Sequence, residues 1–391
     1  MWPGFGLLAL SVPLFAQVQT GTLPHSWTEG SGDCMEQPAW TVRAYNEDLY
    51  ILRQSGCAHY EKPFLYLIFG VQKALLLDTG AGTAPGTAAV VRGLLERHAK
   101  ARNKASPELI AVHSHGHGDH TAGDAEVASI AHVVPANASE IAKEFNISNW
   151  PVTPGVVELG DRAVDVLPIP GHDAVSIALY DRKTGVLLTG DSLYPGRLYV
   201  TDWEAYRASI RRLKEWTHSR PVAHVLGAHI EQMRTPFRDY TAGTTYQPHE
   251  HTLELGRAHL LELDEALSNA GHEPKQITLR DFTVVPRRPQ AQSSFVSPDF
   301  TVPAFHSTKT FKLVPLGPAL AELDYRAYMS SIDHLRKTFG SGNWPHNDLT
   351  MVDALKDVEG EIARFHARSS FTYAVLNLAG TEERGCVYIS P

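Results

Sequence analysis

The run His115-Gly116-His117-Gly118-Asp119-His120 follows directly on the apolar residues 109–112. No other feature restricts this chain as tightly. Four of its 20 histidines fall within residues 113–120, a density that is costly unless something binds it. Residues i and i+2 of an extended segment share a side, so His115 and His117 can grip one ion. Asp119 and His120, where the chain turns into a helix, can face a second. Glycines at 116 and 118 are expected to relieve crowding in the loop. Neutral imidazole and carboxylate suit Zn²⁺ and also Fe or Mn, so ligand type alone does not fix the metal; two zinc ions are the expectation. Only three cysteines are present, with no CxxC pair. Metal chemistry here therefore runs on His and carboxylates.

One loop cannot complete two coordination spheres, and the chain offers further single ligands at the exits of apolar runs. Pro170-Gly171-His172 follows 164–169, Thr189-Gly190-Asp191 follows 186–188, and Gly227-Ala228-His229 follows 222–226, while the apolar run 74–77 stops at the turn Asp78-Thr79-Gly80. Short β-rich runs at 40–44, 48–52, 64–69, 74–77, 109–112, 156–167, 175–180 and 186–188 alternate with helical patterns at 86–100, 202–216 and about 251–269. Strands with helices after each group predict a layered α/β domain.

The length of 391 residues allows roughly two or three domains. A hydrophobic content of 43% excludes a mainly disordered chain. The 43 acidic against 35 basic residues, net −8, argue against a nucleic-acid partner. Residues 7–16 are apolar but shorter than the roughly 20 residues that a membrane span needs. They suit the core of a secretory signal over residues 1–16, despite the lack of Lys or Arg before them. Export to the periplasm or outside the cell is the expectation, cytoplasmic residence following if the signal reading fails. In an oxidising compartment Cys34 and Cys57 can pair. The main domain is expected over 35–285 and a Pro/Ser/Gln-rich linker over 286–304. A small α/β piece over 305–391 follows. There Tyr328, Ile332, Leu335 and Phe339 stripe one helix, and Met351, Leu355, Val358, Ile362 and Phe365 a second. Strands are expected at 311–314, 371–376 and 385–389.

The motif Ser114-His115-Gly116-His117-Gly118-Asp119-His120, with the later ligands in order, resembles the metallo-β-lactamase superfamily of metallo-hydrolases over about residues 40–235. The resemblance implies a four-layer αββα sandwich with a site at one edge. It implies that His115, His117 and His172 hold a first metal and that Asp119, His120 and His229 hold a second. Asp191 would bridge the two, and Asp78 would orient a ligand from behind. Asp191 at the bridging position looks more like glyoxalase II, lactonases and related hydrolases than true β-lactamases. His117 stands where the flavodiiron branch has Glu. Two cations sharing a water lower its pKa toward about 7. The resemblance thus implies attack of hydroxide on an ester, thioester, lactone or amide carbonyl of a small-molecule substrate, with Asp119 as proton shuttle. A mononuclear iron oxygenase of the persulfide-dioxygenase type and a true β-lactamase are the alternatives. No oligomeric state follows.

Residues 305–391 resemble the front half of a GNAT-type acetyltransferase domain, without its catalytic motif or its Gly-rich acetyl-CoA loop. No acetyltransferase activity is expected of them. His113 and His224 read as structural, and His249 and His251 as surface residues of a polar turn. Tyr194 and Tyr199 read as packing aromatics. Asn137 and Asn146 match glycosylation acceptors, a short pattern with many chance matches.

Overall fold

The computed structural model describes residues 18–390 except 29–31, 35–36, 83–85, 288–295, 297–299, 340–344, 346, 348, 367 and 369. The expected signal segment 1–16 lies outside the described residues. The chain divides into two compact units, residues 1–287 and 288–391.

In the first unit, strands β1 (Trp40–Asn46), β2 (Leu49–Gln54), β3 (Phe64–Phe69), β4 (Lys73–Leu77), β5 (Glu108–Val112) and β6 (His132–Val133) pair in that order. A second sheet has the order β13 (Glu254–Leu255), β12 (His224–Gly227), β10 (Val186–Gly190), β9 (Ile177–Asp181), β8 (Ala163–Pro168) and β7 (Gly155–Glu158). A small third sheet sets β15 (Thr283–Pro286) between β11 (Arg197–Val200) and β14 (Ile277–Thr278). The helices are α1 (Thr87–Arg102), α2 (Gly118–Thr121), α3 (Asp124–Val127), α4 (Ala138–Glu144), α5 (Trp203–Trp216) and α6 (Arg257–Ala270).

The alternation of side chains along each strand builds the layers. Ile51, Tyr66, Ile68, Leu75, Leu77, Ile110 and Val112 point from the first sheet into one core with Val164, Val166, Leu179, Leu188 and Leu226 of the second. The opposite face of the first sheet, with Leu52, Leu65, Leu67, Leu76 and Ala111, packs on Val91, Leu94 and Leu95 of α1. The opposite face of the second sheet, with Ala178, Leu187 and Val225, packs on Tyr206, Ile210 and Leu213 of α5 and Leu260, Leu263 and Leu267 of α6. Helix, sheet, sheet and helix thus form the four layers, which is why 74–77 and 186–188 read as continuously apolar: both faces are covered.

Strands β4 and β5 run parallel. So do β10 and β12, while β8 is antiparallel to β9 and β9 to β10. The C-terminal ends of β8, β10 and β12 therefore meet at one edge. Backbone bonds join that edge to the first sheet: Ile177 N–H donates to Ser114 O and Phe64 N–H to Ala228 O, both at 2.8 Å. Every single ligand found at a strand exit is carried to this seam.

The packed unit reaches beyond the expected 35–285 at both ends. Trp27 is buried edge-on against Phe64 at 5.0 Å. At the other end β15 continues to Pro286, paired with Val200, so the first residue of the expected linker is a strand residue. Cys34 and Cys57 form a disulfide. The helix expected from residue 251 begins at Arg257, because residues 254–255 pair with β12 instead.

The second unit has one antiparallel sheet of β16 (His306–Ser307), β17 (Lys312–Pro315), β18 (Phe371–Leu376) and β19 (Glu383–Ile389). Helices α7 (Ala321–Met329), α8 (Ile332–Phe339) and α9 (Met351–His366) lie between β17 and β18 in the chain. The single stripe expected from Tyr328 to Phe339 is split, since Ser330 and Ser331 interrupt the helix. Serine hydroxyls compete for backbone groups and favour helix ends; Ser330 Oγ donates to Ala327 O.

Candidate metal centre

Two groups of donors meet at the seam. His115, His117 and His172 form the first, and Asp119, His120, Asp191 and His229 the second. In the first, His115 Nε2 lies 2.9 Å from His117 Nδ1, and His172 Nε2 lies 3.2 Å from both. Nitrogens on a tetrahedral zinc at its usual bond length stand about 3.3 Å apart. In the second, Asp119 Oδ2 is 3.1 Å from His120 Nε2 and 3.3 Å from His229 Nε2. Asp191 touches both groups. Its Oδ1 lies 3.5 Å from His120 Nε2 and 3.3 Å from His229 Nε2, whereas Oδ2 lies 3.5 Å from His172 Nε2 and 3.8 Å from His115 Nε2.

The bonds behind the imidazoles assign their tautomers. Asp78, fully buried, accepts from the Ser114 N–H at 2.6 Å and Ser114 Oγ–H at 2.9 Å, and from His120 Nδ1–H at 2.9 Å. Ser114 Oγ, having donated to Asp78, accepts from His115 Nδ1–H at 3.1 Å. His172 Nδ1–H donates to Tyr199 O at 2.8 Å, and His229 Nδ1–H to Glu61 O at 3.0 Å. Each of these four rings therefore turns a bare Nε2 toward the centre. His117 faces it through Nδ1 instead, with Nε2 3.9 Å from Asp173 Oδ2.

A cation fits this donor set. Among the described residues, the buried His120 Nε2 and Asp191 Oδ1 have no hydrogen-bond partner, which is costly unless something else satisfies them. Electrostatics differ between the groups. Burial disfavours the imidazolium of His115 and His172 and pulls both below the ordinary histidine range. Burial acts the same way on His120 and His229. There the carboxylates outweigh it, Asp78, Asp191 and Asp119 around His120 and Asp191 and Asp119 around His229, and both are raised. Burial works to raise the Asp119 carboxyl, but His120 and His229 hold it far below the ordinary range.

All eight sequence-predicted residues, Asp78 among them, come together here. Several partners were not legible in the sequence. Main-chain carbonyls of Tyr199 and Glu61 carry no side-chain signal, and Ser114 stood unremarked inside the motif. Glu61 is itself steadied by its neighbour: Lys62 Nζ donates to Tyr60 O and Thr244 O at 2.6 Å each, and burial brings the ammonium down to about 8. The expected role of Gly116 and Gly118 is corrected. A Cβ at 116 meets nothing closer than 3.7 Å, and at 118 nothing within 4 Å, so crowding does not explain them. His113 is structural as expected, with Nδ1 near His120 O and Nε2 3.3 Å from Asp124. Tyr194 packs edge-on against His229 with its hydroxyl donating to Arg197 O. His251 is engaged by Asp281 at 3.3 Å, and Asn137 caps α4.

Residues 63–253 match the family described as the metallo-beta-lactamase superfamily. The match covers just under half of the chain. Proteins named acyl-coenzyme A thioesterase MBLAC2 from Bos taurus and Homo sapiens are 29% and 28% identical over 36% of this chain. The chain spans 61% of the length of each of those relatives. A hydroxyacylglutathione hydrolase from Anaeromyxobacter dehalogenans is 31% identical over 34% of this chain and 46% of its own. Solved metallo-beta-lactamases from Pontibacter korlensis and, as FIM-1, from Pseudomonas aeruginosa are 18% and 13% identical. They cover 59% and 62% of this chain and 99% and 100% of their own, with TM-scores of 0.41 and 0.44.

One backbone position holds the first group in place. Gly171 has φ +146°, and a Cβ there would stand 2.4 Å from Tyr206 Cα in α5. Gly171→Ala is expected to cost about 1–3 kcal/mol and to displace His172. A melt and metal retention measured together check this; unchanged values in both would contradict it.

Proposed function

We propose that the chain is a hydrolase that holds two zinc-class ions and cleaves a thioester of a small carrier. His115, His117 and His172 take the first ion, Asp119, His120 and His229 the second, and Asp191 both. The split of the Asp191 carboxylate between the two donor groups carries the reading, because a single-ion site has no use for the second oxygen. Bound there, the ions would supply an acidified water and a Lewis-acidic face for the substrate carbonyl. The chain's own part is to place protons and the attacking water. Asp78 keeps His120 in one tautomer, and Tyr199 and Glu61 do so for His172 and His229. Asp119, anionic and 18% exposed, accepts a hydrogen bond from the attacking water and so orients it, while the water's proton passes to the leaving sulfur. The acid and the thiol are then released. Support for a thioester over a lactone or amide comes from relatives named as acyl-coenzyme A thioesterase and hydroxyacylglutathione hydrolase.

Metal analysis of the purified chain with a panel of thioesters, esters and lactams tests the proposal. About two ions per chain and thioester turnover lost in His115→Ala are expected. A single iron per chain with thiol-dependent oxygen uptake would replace it by the oxygenase reading, and lactam turnover alone by the β-lactamase reading.

Protons compete with the cations for each bare nitrogen, so affinity for both ions is expected to fall as pH falls. Dialysis at stepped pH followed by metal analysis checks this; ions held unchanged into the acid range would contradict it.

We further propose export, which the Cys34–Cys57 disulfide supports. Intact-mass measurement on secreted protein, with cleavage after Ala16 expected, tests it; an uncleaved cytoplasmic product would refute it. The GNAT-like reading of residues 305–391 rests on a strand, two helices and two closing strands; the chain there runs through β17, the three helices α7 to α9 and the hairpin β18–β19. No acetyl-CoA binding is expected, and calorimetry on the full chain checks that. Among the described residues no helix is long and apolar enough to cross a membrane.

A further inference from the structure

We propose that Asp324, Glu383 and Cys386 form a separate metal site in the 288–391 unit, one that takes a zinc-class divalent cation and ties α7 to β19. Asp324 lies on α7, Glu383 and Cys386 on β19. Cys386 Sγ stands 3.1 Å from Glu383 Oε1 and 3.6 Å from Asp324 Oδ1. One ligand atom from each residue lies within 4.8 Å of the others. Sulfur and oxygen sharing a tetrahedral zinc are about 3.5 Å apart.

Glu383 points to a missing positive charge. It is only 6% exposed, and its buried Oε2 has no hydrogen-bond partner among the described residues. The basic residues nearest in sequence turn elsewhere, Arg326 to Glu322 and Arg384 to Glu382. A single thiol proton cannot satisfy two buried carboxylates, which are costly to leave without a counter-charge.

The backbone is shaped to bring the ligands to one side. Residues three apart on a regular strand point to opposite faces. Here Ala374 pairs with Cys386 and Leu376 with Glu383, so β19 carries one extra residue against β18. This bulge, with Gly385 at φ +141°, returns Glu383 and Cys386 to the same face. Thiolate with carboxylate favours zinc-class ions over Mg²⁺ or Ca²⁺.

Cobalt titration of the full chain, in oxygen-free buffer without thiol reductant, tests the proposal. The other two cysteines are in the disulfide, and the His/Asp donor groups contain no sulfur. A thiolate-to-cobalt charge-transfer band can therefore come from Cys386 alone. The band is expected in the unmodified protein and absent from Cys386→Ser, with bound cobalt lower by about one ion per chain. Glu383→Gln keeps the thiol and is expected to weaken the titration of the band by about tenfold or more. A cobalt-saturated protein without the band would mean that the carboxyls simply share a proton, and the proposal fails. It fails equally if the band survives Cys386→Ser, or if Glu383→Gln titrates unchanged. The unmodified protein and Glu383→Gln decide the matter even if Cys386→Ser does not fold. None of these outcomes depends on the hydrolase reading.

Discussion

Asp191→Asn is expected to lower kcat/KM on the order of 10³-fold, the scale of removing a central electrostatic group from an active site. The substitution changes little in volume and acts through charge. One oxygen of Asp191 faces His120 and His229 and the other faces His172 and His115. An amide can present an acceptor to only one pair and must turn an NH₂ toward the other. Metal content is therefore expected to fall in both donor groups. Asp119→Asn is the matching control, since Asp119 contacts His120 and His229 but not the first group. It should spare the ion at His115, His117 and His172. Metal analysis and steady-state kinetics on the two variants, with circular dichroism to verify folding, check the contrast. Near-normal activity with both ions retained in Asp191→Asn would remove the bridging role.

The second large effect is expected at Asp78, which meets no substrate. Asp78→Asn keeps the size and can keep one acceptor for the Ser114 amide, but its NH₂ then faces His120 Nδ1. The ring is forced to accept there and to carry its proton on Nε2, the atom turned to the centre. Loss of about 10- to 100-fold in metal affinity is expected, with kcat/KM falling alongside and excess metal restoring part of it. Asp78→Ala should be worse. It leaves the Ser114 N–H buried and unpaired at a cost of about 1–3 kcal/mol. Alanine also tolerates φ +70° less well than aspartate does. A metal titration followed by activity separates positioning from folding: unchanged metal affinity in Asp78→Asn would show that Asp78 serves the fold alone.

Much of the first unit was legible because its signals are local. A short apolar run that stops at Asp, or at Gly with Asp or His, reads as a buried strand delivering a functional residue. Strand β4 with Asp78 and β10 with Asp191 are the plainest cases. Helix α5 was legible from its stripe of Tyr206, Ile210 and Leu213. Where pairing is remote, the signal disappears. Strand β11 finds β15 more than eighty residues away, so neither looked like a strand by itself. Residues 254–255 were read as helix because their pairing is with β12, 28 to 30 residues earlier in the chain, and not with a neighbour. The Asp324, Glu383 and Cys386 cluster was invisible for the same reason, since a bulge and a helix from another part of the chain assemble it.

The sequence by itself determined which side chains arrive at the ends of the strands, because strand period and ligand chemistry act over a few residues. Only the tertiary structure decided how they are used. Which oxygen of Asp191 serves which ring depends on groups contributed by distant segments. So does the choice of nitrogen that each imidazole turns inward, set by the carbonyls of Glu61 and Tyr199 and the carboxylate of Asp78. Hydrogen bonds to such groups set proton positions, and no pattern of neighbouring residues encodes them.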